Sequence, residues 1–261
     1  MEEDIRHKAI WDYQKVIIEI YKEKELKSLA GPKREFDVNG RQILEWFFTV
    51  VRKGQNKYNT FNFHKCFDDL IFTSDEIIHF TALLYLYAPY MNNPIQEGFW
   101  FVNRMLYPNR QNLEAKRFSM FVNTVNEKVY NYWDRIGDLI ATYFPDKIDP
   151  KRVFFPTAID IIPDKFHESS NYKWLKQFRD NEYKAMNEKR KEIVHYLTVD
   201  TDFRHKHVSN SSNKTELEKI IKERDDLPDF FKDQIKLTLD GFEKTVLLIE
   251  EITASELGDV V

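Results

Sequence analysis

Apolar residues in this chain recur mostly three or four positions apart, the spacing that builds one face of an α-helix. The clearest case is FSMFVNTVNEKVYNYWDRIGDLIATYF, where Phe121, Val125, Val129, Tyr132, Ile136, Leu139 and Tyr143 step by fours and threes. That rhythm draws one continuous stripe and predicts a long core helix. A second stripe, Leu175, Phe178, Met186, Ile193 and Leu197, predicts a helix from Tyr172 to about Leu197. Upstream, Ile10, Ile17, Ile18, Tyr21 and Leu26 predict a helix from Glu3 to about Leu29, closed by Ala30-Gly31-Pro32, and a shorter helix follows near Gln42 to Arg52. In TSDEIIHFTALLYLYAPYM, Thr73 stands three residues before Glu76, the spacing of a capping box, so a helix is expected to start there and to end or kink at Pro89. Thr215 to Arg224 and Asp229 to about Ser255 complete the set, the last opening next to Pro228.

Two stretches break the rhythm. KIDPKRVFFPTAIDIIPDKF carries Pro150, Pro156 and Pro163 and reads as an extended connector. DTDFRHKHVSNSSN reads as a polar loop. The expected fold class is therefore all-α, a multi-helix bundle in which the long aromatic-rich helix packs against the helix at 172–197. There is no internal repeat. LYPNRQN near residue 110 suggests the one division, an N-terminal helical region over 1–110, which could belong to the same domain, and a helical domain over 111–261.

Composition narrows the chemistry. With 42% hydrophobic and 15% aromatic residues, the 261-residue chain can build a sizeable core, and seven glycines are too few for a turn-rich β fold. A net charge of −4 gives no general attraction to nucleic acid, so any such contact needs a local basic patch. The lone Cys66 rules out an intramolecular disulfide and a zinc site built on several thiolates, and fits a reducing compartment. MEEDIRHKAI lacks the apolar core of a signal peptide, and no apolar run approaches the ~18 residues that cross a bilayer; a cytoplasmic protein with no membrane partner is expected. The sequence holds no G-x-x-x-x-G-K, G-x-G-x-x-G, G-x-S-x-G or H-E-x-x-H, which disfavours nucleotide hydrolysis, dinucleotide redox chemistry, α/β-hydrolase chemistry and zinc proteolysis. No cofactor is expected.

The candidate chemistry lies in NEKRKEIVHYLTVDTDFRHKH, Asn187 to His207. Arg190 and His195 form R-x4-H late in the predicted helix. Residues five apart on a helix diverge by ~140°, so Arg190 falls at the edge of the core stripe and His195 points away from it. One chain does not converge them, whereas a two-fold dimer packing this helix on its copy would gather two arginines and two histidines in one cleft. Glu192, three residues before His195, could orient the imidazole or raise its pKa. Lys191, Arg204, His205, Lys206 and His207 could hold flanking phosphates. His205 and His207 could instead ligate a metal as H-x-H, but with no cysteine or fixed carboxylate beside them no metal is assigned. Asp134 and Asp138, one turn apart, could chelate a cation; Arg135 between them favours an ion-pair network tying this helix to the motif helix. Tyr130, Tyr132, Trp133 and Tyr143 could stack on bases, but their helical spacing assigns them to the core. The plain reading of Arg190 and His195 is an arginine on a charged face and a surface histidine.

An all-helical chain with R-x4-H late in a helix resembles the HEPN superfamily, whose best-known members are ribonucleases of toxin and defence systems. NEKVYNYWDRIGDLI, Asn126 to Ile140, is similar to the long helix that packs against the motif helix there, and the resemblance spans roughly Gln111 to Ser255. It implies that Arg190 stabilises charge developing on phosphorus and that His195 moves a proton to or from the 2′-hydroxyl or the leaving oxygen, without a metal. It also implies RNA as substrate, a homodimer and an antitoxin as partner protein. Two positions depart from the pattern: Lys191 follows the arginine where catalytic relatives carry an uncharged or acidic polar group, and Leu197 stands where one toxin subgroup has tyrosine, with Tyr196 adjacent. The resemblance thus leaves two functions open, a homodimeric metal-independent endoribonuclease and a non-catalytic scaffold or nucleotide- or RNA-binding module.

Overall fold

The computed structural model describes residues 4–29, 37–38, 40–46, 63–144, 146–195 and 197–258. Helices dominate: α1 (Ile5–Glu23), α2 (Ile43–Trp46), α3 (Phe63–Tyr87), α4 (Leu113–Ala141), α5 (Phe155–Asp160), α6 (Ser170–Phe178), α7 (Lys184–His195), α8 (Val199–Ser209), α9 (Lys214–Asp225) and α10 (Leu227–Gly258). Two short antiparallel hairpins join them, β1 (Asp37–Val38) with β2 (Arg41–Gln42), and β3 (Phe99–Phe101) with β4 (Arg104–Leu106). The fold is all-α. The chain forms two compact units, one from 1–27, 77–127 and 190–233, the other from 28–76, 128–189 and 234–261. The cuts fall within α3, α4, α7 and α10, and neither unit begins or ends at residue 110.

The second unit is built on the stripe of α4. Val129, Tyr132, Trp133, Ile136 and Leu139 are at most 1% exposed, and Tyr130 and Tyr143 are also buried, so these aromatics are core. Tyr132 keeps its hydroxyl satisfied there by donating to the Thr238 carbonyl of α10 at 3.1 Å. Gly241 lets α10 approach α4: a Cβ at that position would lie 2.2 Å from Trp133 Cη2. Gly137 does the same for α5, where a Cβ would come within 2.9 Å of the Phe155 backbone. Charges flank this core. Arg135 reaches Asp138 at 2.8 Å and Asp69 of α3 at 3.5 Å, Lys128 meets Glu76 at 2.7 Å, and Arg41 pairs with Glu250. The expected tie from Arg135 to the motif helix is thus corrected; its carboxylate partners are on its own helix and on α3.

In the first unit Phe118, Val122 and Val125 of α4 are buried together with Leu83, Leu84, Val199, Leu217 and Phe231. Phe121 packs on Phe80 and Tyr87, ring centroids 6.0 and 5.6 Å away. Asn112 caps α4 by accepting from the Ala115 N–H at 2.9 Å, and Tyr85 donates to Asp229 at 2.5 Å.

Several local expectations are corrected. Thr73 does not open a helix: α3 begins ten residues earlier, Thr73 is interior and buried, and the Ser74 hydroxyl accepts from the Leu29 N–H at 3.0 Å. A capping-box spacing inside an uninterrupted apolar rhythm marks no terminus. The helix does end at Pro89, which forms a 3-10 turn over Ala88–Tyr90. The connector is not extended; Pro150, Pro156 and Pro163 each stand at the start of a short helical turn, where proline's missing N–H costs nothing. DTDFRHKHVSNSSN is mostly helix α8, because Thr198 caps it by accepting from the Thr201 N–H, Asp200 and Asp202 complement its dipole, and Lys206 pairs with Asp202 at 2.9 Å. α1 ends at Glu23, ahead of the proline signal, in a left-handed turn at Glu25 (φ 55°) where the Leu26 N–H reaches the Tyr21 carbonyl at 2.9 Å. Of its predicted stripe Ile17 is buried, whereas Ile10 and Ile18 face solvent. Of the helix expected over Gln42 to Arg52, Ile43–Trp46 is seen and the remainder lies outside the described residues. The hairpins had no counterpart in the sequence reading.

Candidate functional site

The helix carrying R-x4-H begins at Ser169, whose side chain accepts from the Asn171 N–H at 3.1 Å. Its first part, α6, buries Tyr172, Leu175 and Phe178, and Phe178 stacks on Trp133 with centroids 3.9 Å apart. Phe155 packs between them, 5.0 Å from Trp133 and 5.1 Å from Tyr183. The long aromatic helix therefore does pack against the motif helix. Asp134 adds a polar tie: it accepts from the Phe155 N–H at 3.4 Å and faces the Tyr183 hydroxyl at 3.5 Å. Burial, with Tyr130 and Asp134 alongside, pushes the Tyr183 phenol far above the usual tyrosine range, so it stays a neutral donor. Asp134 and Asp138 are both engaged in the protein's own contacts and do not form a paired cation site.

Between α6 and α7 the helix makes a π turn over Arg179–Tyr183. A π turn holds one residue more than an α turn, so each downstream position lags by ~100°. The apolar stripe read as Phe178, Met186, Ile193 and Leu197 is thereby re-phased. Tyr183 becomes the buried position, Met186, Asn187 and Arg190 follow it as the less exposed face, and Leu197 lies beyond the helix, 41% exposed. Arg190 is half-buried, its Nε is shielded from solvent, and its side chain makes contacts within the protein. Lys191 beside it is exposed. His195 is the last residue of α7. The side chains of Glu192 and His195, and Tyr196 as a whole, lie outside the described residues.

The candidate residues from Arg190 to His207 all fall within 190–233 of the first unit. Arg204 and His205 are on the exposed face of α8. His207, two residues on and so ~200° around the helix, is 5% exposed, and its Nε2 donates to the Tyr107 carbonyl at 3.0 Å. The H-x-H pair is therefore split between surface and interior and is not a chelate. Among the described residues no group of three or more His, Cys, Asp or Glu side chains could hold a metal ion. Burial pushes the Cys66 thiol up to about 11, which disfavours its thiolate.

The sequence reading missed hairpin β3–β4 and the cleft at its base. The signal was present: Phe-Trp-Phe-Val is a run of strand formers, followed by Asn103, which tolerates the left-handed turn (φ 62°), and closed by Pro108.

The family comparison agrees with this architecture. The model of the HEPN_Cthe2314-like HEPN family matches residues 84–250, well over half of the chain and inclusive of the motif helix. The chain belongs to that HEPN family. Against the curated proteins and the solved structures it shows no significant match. No helix among the described residues is long and apolar enough to cross a membrane.

Proposed function

We propose that the chain is a metal-independent endoribonuclease that works as a homodimer in a prokaryotic toxin or defence system, held in check by an antitoxin protein. The observation that carries this reading is the placement of Arg190 and His195 on the closing turns of α7, inside the family-matched segment, with Arg190 drawn partly out of solvent. A guanidinium there keeps a fixed planar fork able to hold two non-bridging oxygens of one phosphate. An imidazole can act as both general base and general acid, which suits proton transfer. In the proposed step the 2′-oxygen attacks the adjacent phosphorus as its proton passes to His195. The bond to the 5′-oxygen breaks, and that oxygen takes a proton from the second copy's imidazole. The products are a 2′,3′-cyclic phosphate and a 5′-hydroxyl. Lys191, Arg204 and His205 are exposed on α7 and α8 and are assigned to flanking phosphates; Glu192 is assigned to orienting His195. His207, turned inward, supports the fold around Tyr107.

The runner-up is a non-catalytic HEPN scaffold or RNA-binding module, favoured by the exposed Lys191 next to Arg190 and by the net charge of −4. One experiment separates the two. Labelled single-stranded RNA is incubated with the protein in EDTA, and cleavage is followed beside a melting curve and light scattering. The nuclease reading expects a dimer at tens of micromolar and a loss of ~100-fold or more in His195→Ala. Arg190→Lys should retain RNA binding and cleave poorly. Equal cleavage by wild type and His195→Ala, or activity that needs a divalent ion, overturns it.

A further inference from the structure

Hairpin β3–β4 presents aromatic side chains to solvent. Phe99 is 46%, Trp100 72% and Phe101 54% exposed, with Val102 at the tip 77% exposed. Strand alternation puts Phe99 and Phe101 on one face and Trp100 on the other, so neither face of the ribbon is covered. Contiguous apolar exposure of this kind marks an interaction surface in a folded protein. The ribbon is also firmly shaped. Its two-residue turn places Val102 (φ 39°) and Asn103 (φ 62°) in the left-handed region, costly for a β-branched residue and held by the pairing of Phe101 with Arg104.

Charge identifies the occupant. In a chain of net charge −4, residues 97–117 carry Arg104, Arg110, Lys116 and Arg117 against the carboxylates of Glu97 and Glu114. The Arg104 guanidinium is exposed and directly across the ladder from Phe101, on the face that also shows Phe99. At the base of the ribbon, Arg110 and Arg224 line a cleft together with Ser119 and His207, two polar side chains only 5% exposed. Tyr107 fixes this base to the end of α8, donating its N–H to the Ser211 carbonyl at 2.8 Å and accepting from His207 Nε2. Exposed aromatic faces with the Arg104 guanidinium among them, beside a small cleft of mixed lining that Arg110 and Arg224 border, fit bases and phosphates in succession.

We propose that hairpin β3–β4, with the Arg110–Arg224 cleft, is a docking surface for single-stranded RNA, on which bases stack against Phe99, Trp100 and Phe101. The inference rests on the RNA reading of the chain but not on its cleavage step. The probe is a labelled single-stranded RNA of roughly 12 nucleotides, 2′-O-methylated so that it cannot be cut, titrated against the full chain by fluorescence anisotropy. The double variant Trp100→Ala with Phe101→Ala should weaken binding tenfold or more. Arg104→Gln with Arg110→Gln should weaken it severalfold and flatten its salt dependence. These positions are exposed, and melting curves check each variant; if the aromatic double variant melts early, the single Trp100→Ala and the arginine pair give the reading. Wild type that fails to bind RNA, or aromatic variants that bind normally, overturn the proposal. Binding to phosphatidylserine vesicles that is lost in the same variants, with RNA binding unchanged, overturns it in favour of a membrane. Normal cleavage by His195→Ala would sink the nuclease reading and leave this surface standing.

Discussion

Two parts of the molecule use the same aromatic residues to opposite ends. Around Trp133, the rings of Phe155, Phe178 and Tyr183 close on one another with no exposure above 3%. On hairpin β3–β4, Phe99, Trp100 and Phe101 stand in water. Residue type does not separate these cases; spacing does. Trp133 sits in a stripe stepping by threes and fours, which one helix turns toward a single neighbour. Phe99 to Phe101 are consecutive, and a ribbon of two strands sends consecutive side chains to opposite faces, so with no layer packed on either side among the described residues all of them remain accessible. An aromatic-rich sequence thus indicates a core only when its period matches an element that has something to pack against.

The largest test of this contrast swaps both tryptophans. Trp133→Ala empties a fully buried site and should cost ~3–5 kcal/mol in chemical denaturation, whereas Trp100→Ala should stay within about 0.5 kcal/mol. Equal losses would show the ribbon to be structural. Next come the two glycines that let rings approach. Gly241→Ala drives a Cβ into the fixed Trp133 ring and should cost ~1–3 kcal/mol of overpacking, offset by up to ~1 kcal/mol from alanine's helix preference. Gly98→Ala meets the edge of Tyr107 at 2.7 Å, outside the closed core, where the ring can turn aside; a smaller drop in melting temperature is expected. The smallest effect is a pH response. Burial pushes His79 below the usual histidine range, where its Nε2 lies 3.3 Å from the Tyr13 hydroxyl. A depressed histidine favours the neutral form in the folded state, so its contribution is intact above pH ~6.5 and is lost as pH falls from there toward the folded pKa. Hydrogen exchange at pH 7 and pH 5 should show amides near α1 and α3 losing protection before those around Trp133, and His79→Gln should shrink that difference.

From Val125 to Leu139 the stripe of α4 was legible because helical period and burial coincide there, whereas at its start Phe118 and Val122 are buried and Phe121 only half so. The stop at Pro89 was legible too, because it follows from proline's covalent geometry. What failed were signals whose meaning depends on distant partners. Thr73 and Glu76 have capping-box spacing, but the neighbouring Ser74 serves Leu29, forty-five residues away. DTDFRHKH looked like loop because its composition is polar, yet the Thr198 cap, the Asp202–Lys206 pair and the burial of Val199 and His207 all favour helix there. At the candidate site the sequence singled out the arginine and histidine by type and spacing. It could not reveal that His207 turns inward to the Tyr107 carbonyl, since that bond joins residues one hundred positions apart.

The π turn over Arg179–Tyr183 has an implication for how the motif helix tolerates change in length. An α-helix transmits register like a rigid screw: one residue removed upstream turns everything downstream by ~100° and draws it back by ~1.5 Å. Here the extra residue is already absorbed in the backbone, so the seating of Phe178 on Trp133 and the heading of Arg190 are set by different stretches of chain. Deleting one residue between 179 and 182 would restore a plain α turn, leave Phe178 on Trp133 and rotate both Tyr183 and Arg190 onto another side of the helix. The π turn is in that sense a phase adjuster, and the side of the helix on which Arg190 stands is a property of those five residues as much as of the arginine itself.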